Sequence, residues 1–153
     1  MRAIVLPVLL FLPAAAAPLH AQGEGRAVMA VVQQLFDGMR ARDTAKMRAT
    51  LHPDARLFSA GVKDSVPTVT IESISAWLGG IPNARPGLLL DERLHNPVVN
   101  VDAGLASVWA EYTFYLGDKV SHCGVDTFHL VKTTAGWKII DLADTRRREG
   151  CAP

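Results

Sequence analysis

The C-terminal half of the chain alternates long strand-like runs with tight turns, and this pattern constrains the fold more than any other feature. "ERLHNPVVNV" turns at Asp102-Ala103-Gly104 into "LASVWAEYTFYL". Gly117-Asp118 is a two-residue hairpin turn leading into "KVSHCGVDTFHLVK", and Thr134-Ala135-Gly136 leads into "GWKIIDLADTRR". Short turns between runs rich in β-branched and aromatic residues force neighbouring strands to lie antiparallel, so these four segments form a meander.

The N-terminal half follows a different period. "RAVMAVVQQLFDGMRAR" sets Val28, Val31, Val32, Leu35, Phe36 and Met39 on one face of an amphipathic helix. Arg40 and Arg42 sit favourably at its negative end. Asp43 can cap a second, short helix, "TAKMRATL", which Pro53 ends. "DARLFSAG" reads as a short strand. Thr70 reads as the cap of a third helix, "IESISAWL", closed by Gly79-Gly80, and "IPNARPG" as a loop. Helices followed by a meander predict an α+β fold, with three N-terminal helices packed on one face of a curved antiparallel sheet. At 153 residues the chain can hold one such core.

The first stretch, "MRAIVLPVLLFLPAAAAPLHA", does not fit that core. Arg2, the apolar run Ala3 to Ala17 and the small Ala21 match a cleaved secretory signal over residues 1–21, leaving a single domain over 22–153. The run is too short and too interrupted by proline for a membrane span. The expected location is therefore secreted or periplasmic, with no membrane span in the mature protein. Losing residues 1–21 removes one arginine and no acid, which brings Lys+Arg from 16 to 15, level with Asp+Glu 15. A formally neutral domain lacks the basic face that nucleic acid or an anionic membrane requires, so nucleic acid is not an expected partner. Cys123 and Cys151 are the two cysteines. In an oxidising compartment an even count allows a disulfide if the tail curls back at Glu149-Gly150; two unpaired thiols are the other reading. No metal-ligand spacing, phosphate loop, dinucleotide fingerprint or Ser-His-Asp arrangement is present, so no metal and no cofactor is expected.

The order of helix, short helix with "DTAKMRATLHPDARLF", third helix and meander ending in Gly136-Trp137-Lys138-Ile139 resembles the NTF2-like superfamily, a cone-shaped α+β fold. "VWAEYTFYLGDKVSHCGVDTFHLVKTTAGWKIIDLADTRR" is similar to its bacterial branch labelled SnoaL-like or lumazine-binding. The resemblance spans residues 26–148. It implies a concave face that packs on the helices and opens into a pocket, and a convex face that often meets a second subunit. The superfamily holds isomerases, dehydratases, epoxide hydrolases and polyketide cyclases beside non-catalytic binders and assembly domains, so it implies a fold and not a reaction.

Setting Thr133 opposite Trp137 across the last turn places Leu130 against Ile140, Phe128 against Leu142, Asp126 against Asp144, and Gly124 against Arg146. Trp109, paired with Asp126 across the Gly117-Asp118 hairpin, and His122 join this face. The other face then carries Val108, Ala110, Tyr112, Phe114, Cys123, Val125, Thr127, His129, Val131, Ile139, Asp141 and Ala143. The bulky first face suits the helix-covered side and the flatter second face suits an isologous dimer. The isomerases of this fold carry a pocket aspartate on this strand, four residues before a core aromatic. Asp126 matches that aspartate, while Leu130 stands where the aromatic would be. The first helix lacks the tyrosine that the steroid isomerases use there.

Asp126, Asp144, His122, Arg146 and Trp109 are thus the candidate ligand-binding residues, and no residue is assigned a catalytic role. Two partly desolvated carboxyls about 5 Å apart at Cβ cannot both ionise cheaply, and Arg146 can neutralise one of them or hold an anion. A solvated Asp–Arg pair at a strand end is the plain alternative. His129 and Asp141 can pair on the second face, and His52 can cap a helix end. Arg93 and His95 lie on the first meander strand, and nothing fixes their facing. The expectation is a secreted domain that binds a small, largely apolar organic ligand and forms a homodimer through its sheet. Two alternatives stay open. One is an isomerase-, dehydratase- or cyclase-like enzyme using a pocket aspartate as acid or base. The other is an assembly module presenting Trp137, Ile139 and Val131.

Overall fold

A computed structural model describes residues 19–151. The expected signal segment lies outside the described residues, apart from its last three positions, which open the first helix. Helix α1 (Leu19–Ala41) buries Val28, Val32, Leu35, Phe36 and Met39, the stripe that its spacing predicts. Arg42, in the left-handed region at φ 56°, ends it. The Asp43 side chain then accepts a hydrogen bond from the Lys46 N–H at 2.9 Å and starts α2 (Thr44–Thr50). The two helices pack closely at Gly38, where a Cβ would come within 2.7 Å of Met47 Cγ.

Strand β1 (Leu51–Lys63) is longer than expected, and it turns into a strand that the sequence analysis did not anticipate, β2 (Val66–Ser73). The turn residues Asp64 and Ser65 both have positive φ, the geometry of a type I′ hairpin turn without its usual glycine. Val66, Thr68, Val69, Thr70 and Ile71 make this segment a strand by propensity. Thr70 therefore caps nothing. Ser73 is the cap of α3 (Ile74–Asn83), its Oγ accepting from the Ala76 N–H at 3.2 Å. The helix runs through Gly79 and Gly80 instead of stopping there, and takes in the first three residues of the expected loop.

Strands β3 (Leu90–Asp102), β4 (Leu105–Leu116), β5 (Lys119–Thr133) and β6 (Gly136–Thr145) form the expected meander. The full sheet has the order β2-β1-β6-β5-β4-β3. It is mixed and not wholly antiparallel, because β1 runs parallel to β6. The α+β class stands, with three helices on a six-stranded sheet. Among the described residues no helix is long and apolar enough to cross a membrane.

Three bulges within the β3–β6 meander bend this sheet. Asn96 and Pro97 together oppose Ala110, Ser121 is an extra residue in β5, and Ile140 is an extra residue in β6. Each one raises the local twist, and together they close the sheet around the helices. The bulge at Ser121 shifts β4 by one residue against its expected register. Val108, Ala110, Tyr112 and Phe114 therefore share the helix-covered face with Phe128, Asp126, Gly124 and His122. Trp109 pairs with Thr127, not Asp126, and points outward, 55% exposed. The bulge at Ile140 moves Ile139 into the core opposite Leu130, while Phe128–Leu142 and Asp126–Asp144 keep their expected pairing.

Candidate functional site

A cavity of about 490 Å³ opens between the concave face of the sheet and the helices. That volume lies within the ordinary range for sites holding small organic molecules. Its wall is apolar over most of its extent: Phe36 and Met39 come from α1, Trp77 and Ile81 from α3, and Leu57, Leu90, Phe114 and Leu142 from the strands. Polar groups gather at one end. Ala110, Asp126, Asp144, Ser59 and Thr70 form a single row of register partners across β4, β5, β6, β1 and β2. Glu92, opposite Phe114 on β3, reaches the same end.

The structure brings Asp126, Asp144, His122 and Arg146 together around this cavity. Trp109, the fifth candidate, is on the opposite face because of the Ser121 bulge. Glu92 was missed by sequence reasoning. The dipeptide Asn96-Pro97 was the available signal, since asparagine at φ 48° followed by proline marks a bulge that resets the facing of everything before it.

The three carboxyl groups are not equivalent. Arg146 Nε donates to Asp144 Oδ2 at 2.6 Å. Asp126, only 2% exposed, has no cation of its own and lies within hydrogen-bonding reach of Glu92. Burial, and then the negative Glu92 beside it, push the Asp126 carboxyl well above the usual carboxylate range. Burial also pushes Glu92 up to about 7, with Asp144 adding to the rise and Asp126 and Arg146 opposing it. Asp126 is therefore the protonated partner at neutral pH and Glu92 the acceptor. Asp126 Oδ2 and Asp144 Oδ1 are buried and receive no hydrogen bond from any protein donor among the described residues.

The surrounding side chains hold this arrangement. Burial, and then the nearby Arg146 charge, depress His122, so the imidazole is neutral; its ring sits 5.7 Å from that of Tyr112 and 5.0 Å from that of Phe114. The Tyr112 hydroxyl donates to the Thr145 carbonyl at 2.9 Å, and burial raises its pKa, so it stays a phenol. Cys123 and Cys151 form a disulfide with Cα atoms 5.5 Å apart. A backbone pair between Cys123 and Arg147, at 2.9 and 2.8 Å, pins the chain just past β6. Disulfide and backbone pair together fix the segment that carries Arg146 over the cavity.

The remaining candidates lie elsewhere. His129 Nδ1 is 2.9 Å from Asp141 Oδ1 on the outer face. His52 Nδ1 accepts from the Asp54 N–H at 3.2 Å, a local turn bond. Arg93 Nε donates to Asp91 at 2.8 Å, and His95 Nε2 lies 3.2 Å from Thr113 Oγ1. Trp137 and Ile139 are buried in the core and present no surface to a partner. Among the described residues no group of three His, Cys, Asp or Glu side chains is arranged to hold a metal ion.

A sequence profile of the family described as "Putative lumazine-binding" matches residues 23–142. The chain belongs to this family. Solved structures place the family member in the NTF2-like fold. An NTF2-like protein of unknown function from Shewanella baltica aligns with TM-score 0.62 at 19% identity, over 84% of this chain and 97% of that one. A protein of unknown function from Mycobacterium tuberculosis aligns with TM-score 0.70 at 14% identity, over 90% and 80%. An NTF2-like family protein from Streptomyces avermitilis, described as a "putative dehydratase", aligns with TM-score 0.65 at 14% identity, over 83% and 98%. At these identities the likeness is one of fold. No curated protein matches the chain.

Proposed function

We propose that this lumazine-binding-family domain binds a small, largely apolar organic molecule in its cone. The ligand body packs against Phe36, Met39, Trp77 and Leu142, and its polar end meets the carboxyl cluster. The observation that carries this reading is the pair of buried acceptors, Asp126 Oδ2 and Asp144 Oδ1, which receive no hydrogen bond from a protein donor among the described residues and border an apolar cavity. Buried acceptors without donors are costly, and a ligand that supplies the donors removes the cost. The family's description points the same way, toward a small molecule. The test is extraction and mass spectrometry of molecules retained by purified wild type and by Ser59→Trp, which blocks the cavity from β1. Retention by the wild type alone supports the site; equal retention by both variants places the molecule elsewhere.

A second reading has its own support. Asp126 and Glu92 share a proton in a desolvated setting, as acid–base catalysts do. On this reading the pair moves a proton next to a carbonyl, as in an isomerase or dehydratase. A substrate turned over by wild type and not by Asp126→Asn supports it, and binding without turnover across a carbonyl-compound panel counts against it.

We also propose that the protein is exported and acts as a homodimer. A disulfide fits an oxidising compartment, in keeping with the apolar N-terminal segment. The outer face of the sheet offers an uncharged row suited to a second copy.

A further inference from the structure

The charge at the polar end of the cavity narrows the ligand class. Resting on the reading of the cavity as a binding site, we propose that its ligand is an organic cation, a compact apolar body carrying a protonated amine or amidine that docks among Glu92, Asp126 and Asp144.

The carboxyl groups arrive from β3, β5 and β6, and Glu72 lines the cavity from β2. Among the described residues lining it, Arg146 is the one permanent cation. Its guanidinium is already engaged by Asp144 Oδ2 at 2.6 Å, and its side chain is 59% exposed. His122 on β5 is neutral and Tyr112 on β4 stays a phenol, so neither adds positive charge. An anionic ligand would meet four lining carboxyl groups, and the one cation among the described lining residues, Arg146, is already paired with Asp144. A neutral carbonyl compound without an O–H or N–H of its own would leave the acceptors Asp126 Oδ2 and Asp144 Oδ1 unmet. A protonated amine supplies several N–H donors and one charge, and it matches both deficits at once. The apolar walls strengthen that attraction by keeping water out.

The ligand enters with its own proton, the Glu92–Asp126 pair yields the proton it holds to solvent, and the complex contains one ammonium against the ionised pair. Affinity therefore rises with pH through the range in which that pair ionises, as long as the amine itself stays protonated.

The test uses calorimetric titration of the folded wild type with three isosteric probes: naphthylmethylamine, naphthylmethanol and naphthoate. At about pH 8 the amine should bind about tenfold more tightly than the alcohol, equivalent to about 1.4 kcal/mol, and the carboxylate should bind most weakly. At about pH 5, where both acids are protonated, the amine preference should fall several-fold. Amine binding at neutral pH should show a heat that changes with the ionisation enthalpy of the buffer, and alcohol binding should not. Glu92→Gln should reduce the preference for amine over alcohol by about tenfold. The wild-type series answers the question even where that variant does not fold. Equal binding of amine and alcohol, or tightest binding of naphthoate, overturns the cationic class and leaves the cavity reading standing. Absence of binding by all three overturns the cavity reading and this inference with it.

Discussion

Asp126 and Asp144 face each other across β5 and β6, and only Asp144 is neutralised by a cation, the Arg146 guanidinium at 2.6 Å. Asp126 turns instead to Glu92, an acid, and the two must share a proton. This asymmetry makes one end of the cavity responsive to pH.

Burial holds Glu92 near 7, above its ordinary value of 4.5. In the unfolded chain it ionises at the lower value, so its protonated form stabilises the fold fully below about pH 4.5. That contribution is lost as pH rises toward 7. Asp126 shifts in the same direction, burial again being the main cause. The wild type should therefore lose melting temperature across this window, and Glu92→Gln should flatten that limb. Parallel wild-type and variant profiles would show that the two acids are not desolvated as described.

Asp91 responds in the opposite sense. Burial alone would raise its carboxyl, but hydrogen bonds from Arg40 and Arg93 outweigh burial and hold it below 3.8. Its contribution is present above about pH 4 and lost as pH falls through the lowered value. Asp91→Ala removes this partner from Arg40, which keeps Asp37, and should cost about 1–2 kcal/mol in urea unfolding at neutral pH. A loss under about 0.5 kcal/mol would mean that the pairs behave as solvated surface bridges.

Gly124 is where the site allows no side chain. A Cβ there would clash with the Thr145 carbonyl oxygen and stand 2.9 Å from Tyr112 Cε1. Gly124→Ala must push β6 away and break the Tyr112–Thr145 hydrogen bond. The expected cost is about 3 kcal/mol by denaturant unfolding, together with loss of ligand binding as Arg146 moves. Unchanged stability would refute the close approach.

The disulfide spans 28 positions, and loop-closure entropy sets its expected contribution at about 3.5 kcal/mol. The paired substitution Cys123→Ser with Cys151→Ser should lower stability by up to that amount. It should also weaken ligand binding, because the segment holding Arg146 loses its anchor. A destabilised variant that binds as well as wild type would separate the crosslink from the site.

The elements were legible where local chemistry decides them. The α1 stripe, the Asp43 cap and the glycine-marked turns all appear in the structure where the sequence puts them. What was not legible is register, because a strand pattern with period two is inverted by one extra residue. Ser121 carries no mark that separates it from its neighbours, yet it moves Trp109 from the cavity to the outside. Asp126 and Asp144 stayed correctly paired because the Thr133–Trp137 register, wrong at the turn, becomes right beyond the Ile140 bulge. The hairpin of β1 and β2 escaped notice because Asp64 and Ser65 make its turn without glycine.

The relocation of Trp109 sharpens the assembly question. Val98, Trp109, Thr127, Ala143, Phe58 and Ile71 are successive register partners across all six strands. This row carries no charge, and Val98, Trp109 and Ile71 are 55%, 55% and 67% exposed. Large aromatic and branched side chains left in water on a sheet face favour burial against a second copy, with Trp109 as the anchor. On that reading, sedimentation of wild type should give a dimer at micromolar concentration. Trp109→Asp should give a folded monomer, its dimer affinity reduced by about a hundredfold or more. Because Trp109 is remote from the cavity, the same variant should bind cavity ligands with unchanged affinity. A wild type that sediments as a monomer at high concentration would overturn the dimer. A Trp109→Asp variant that dimerises normally would exclude this face as the place where the copies meet.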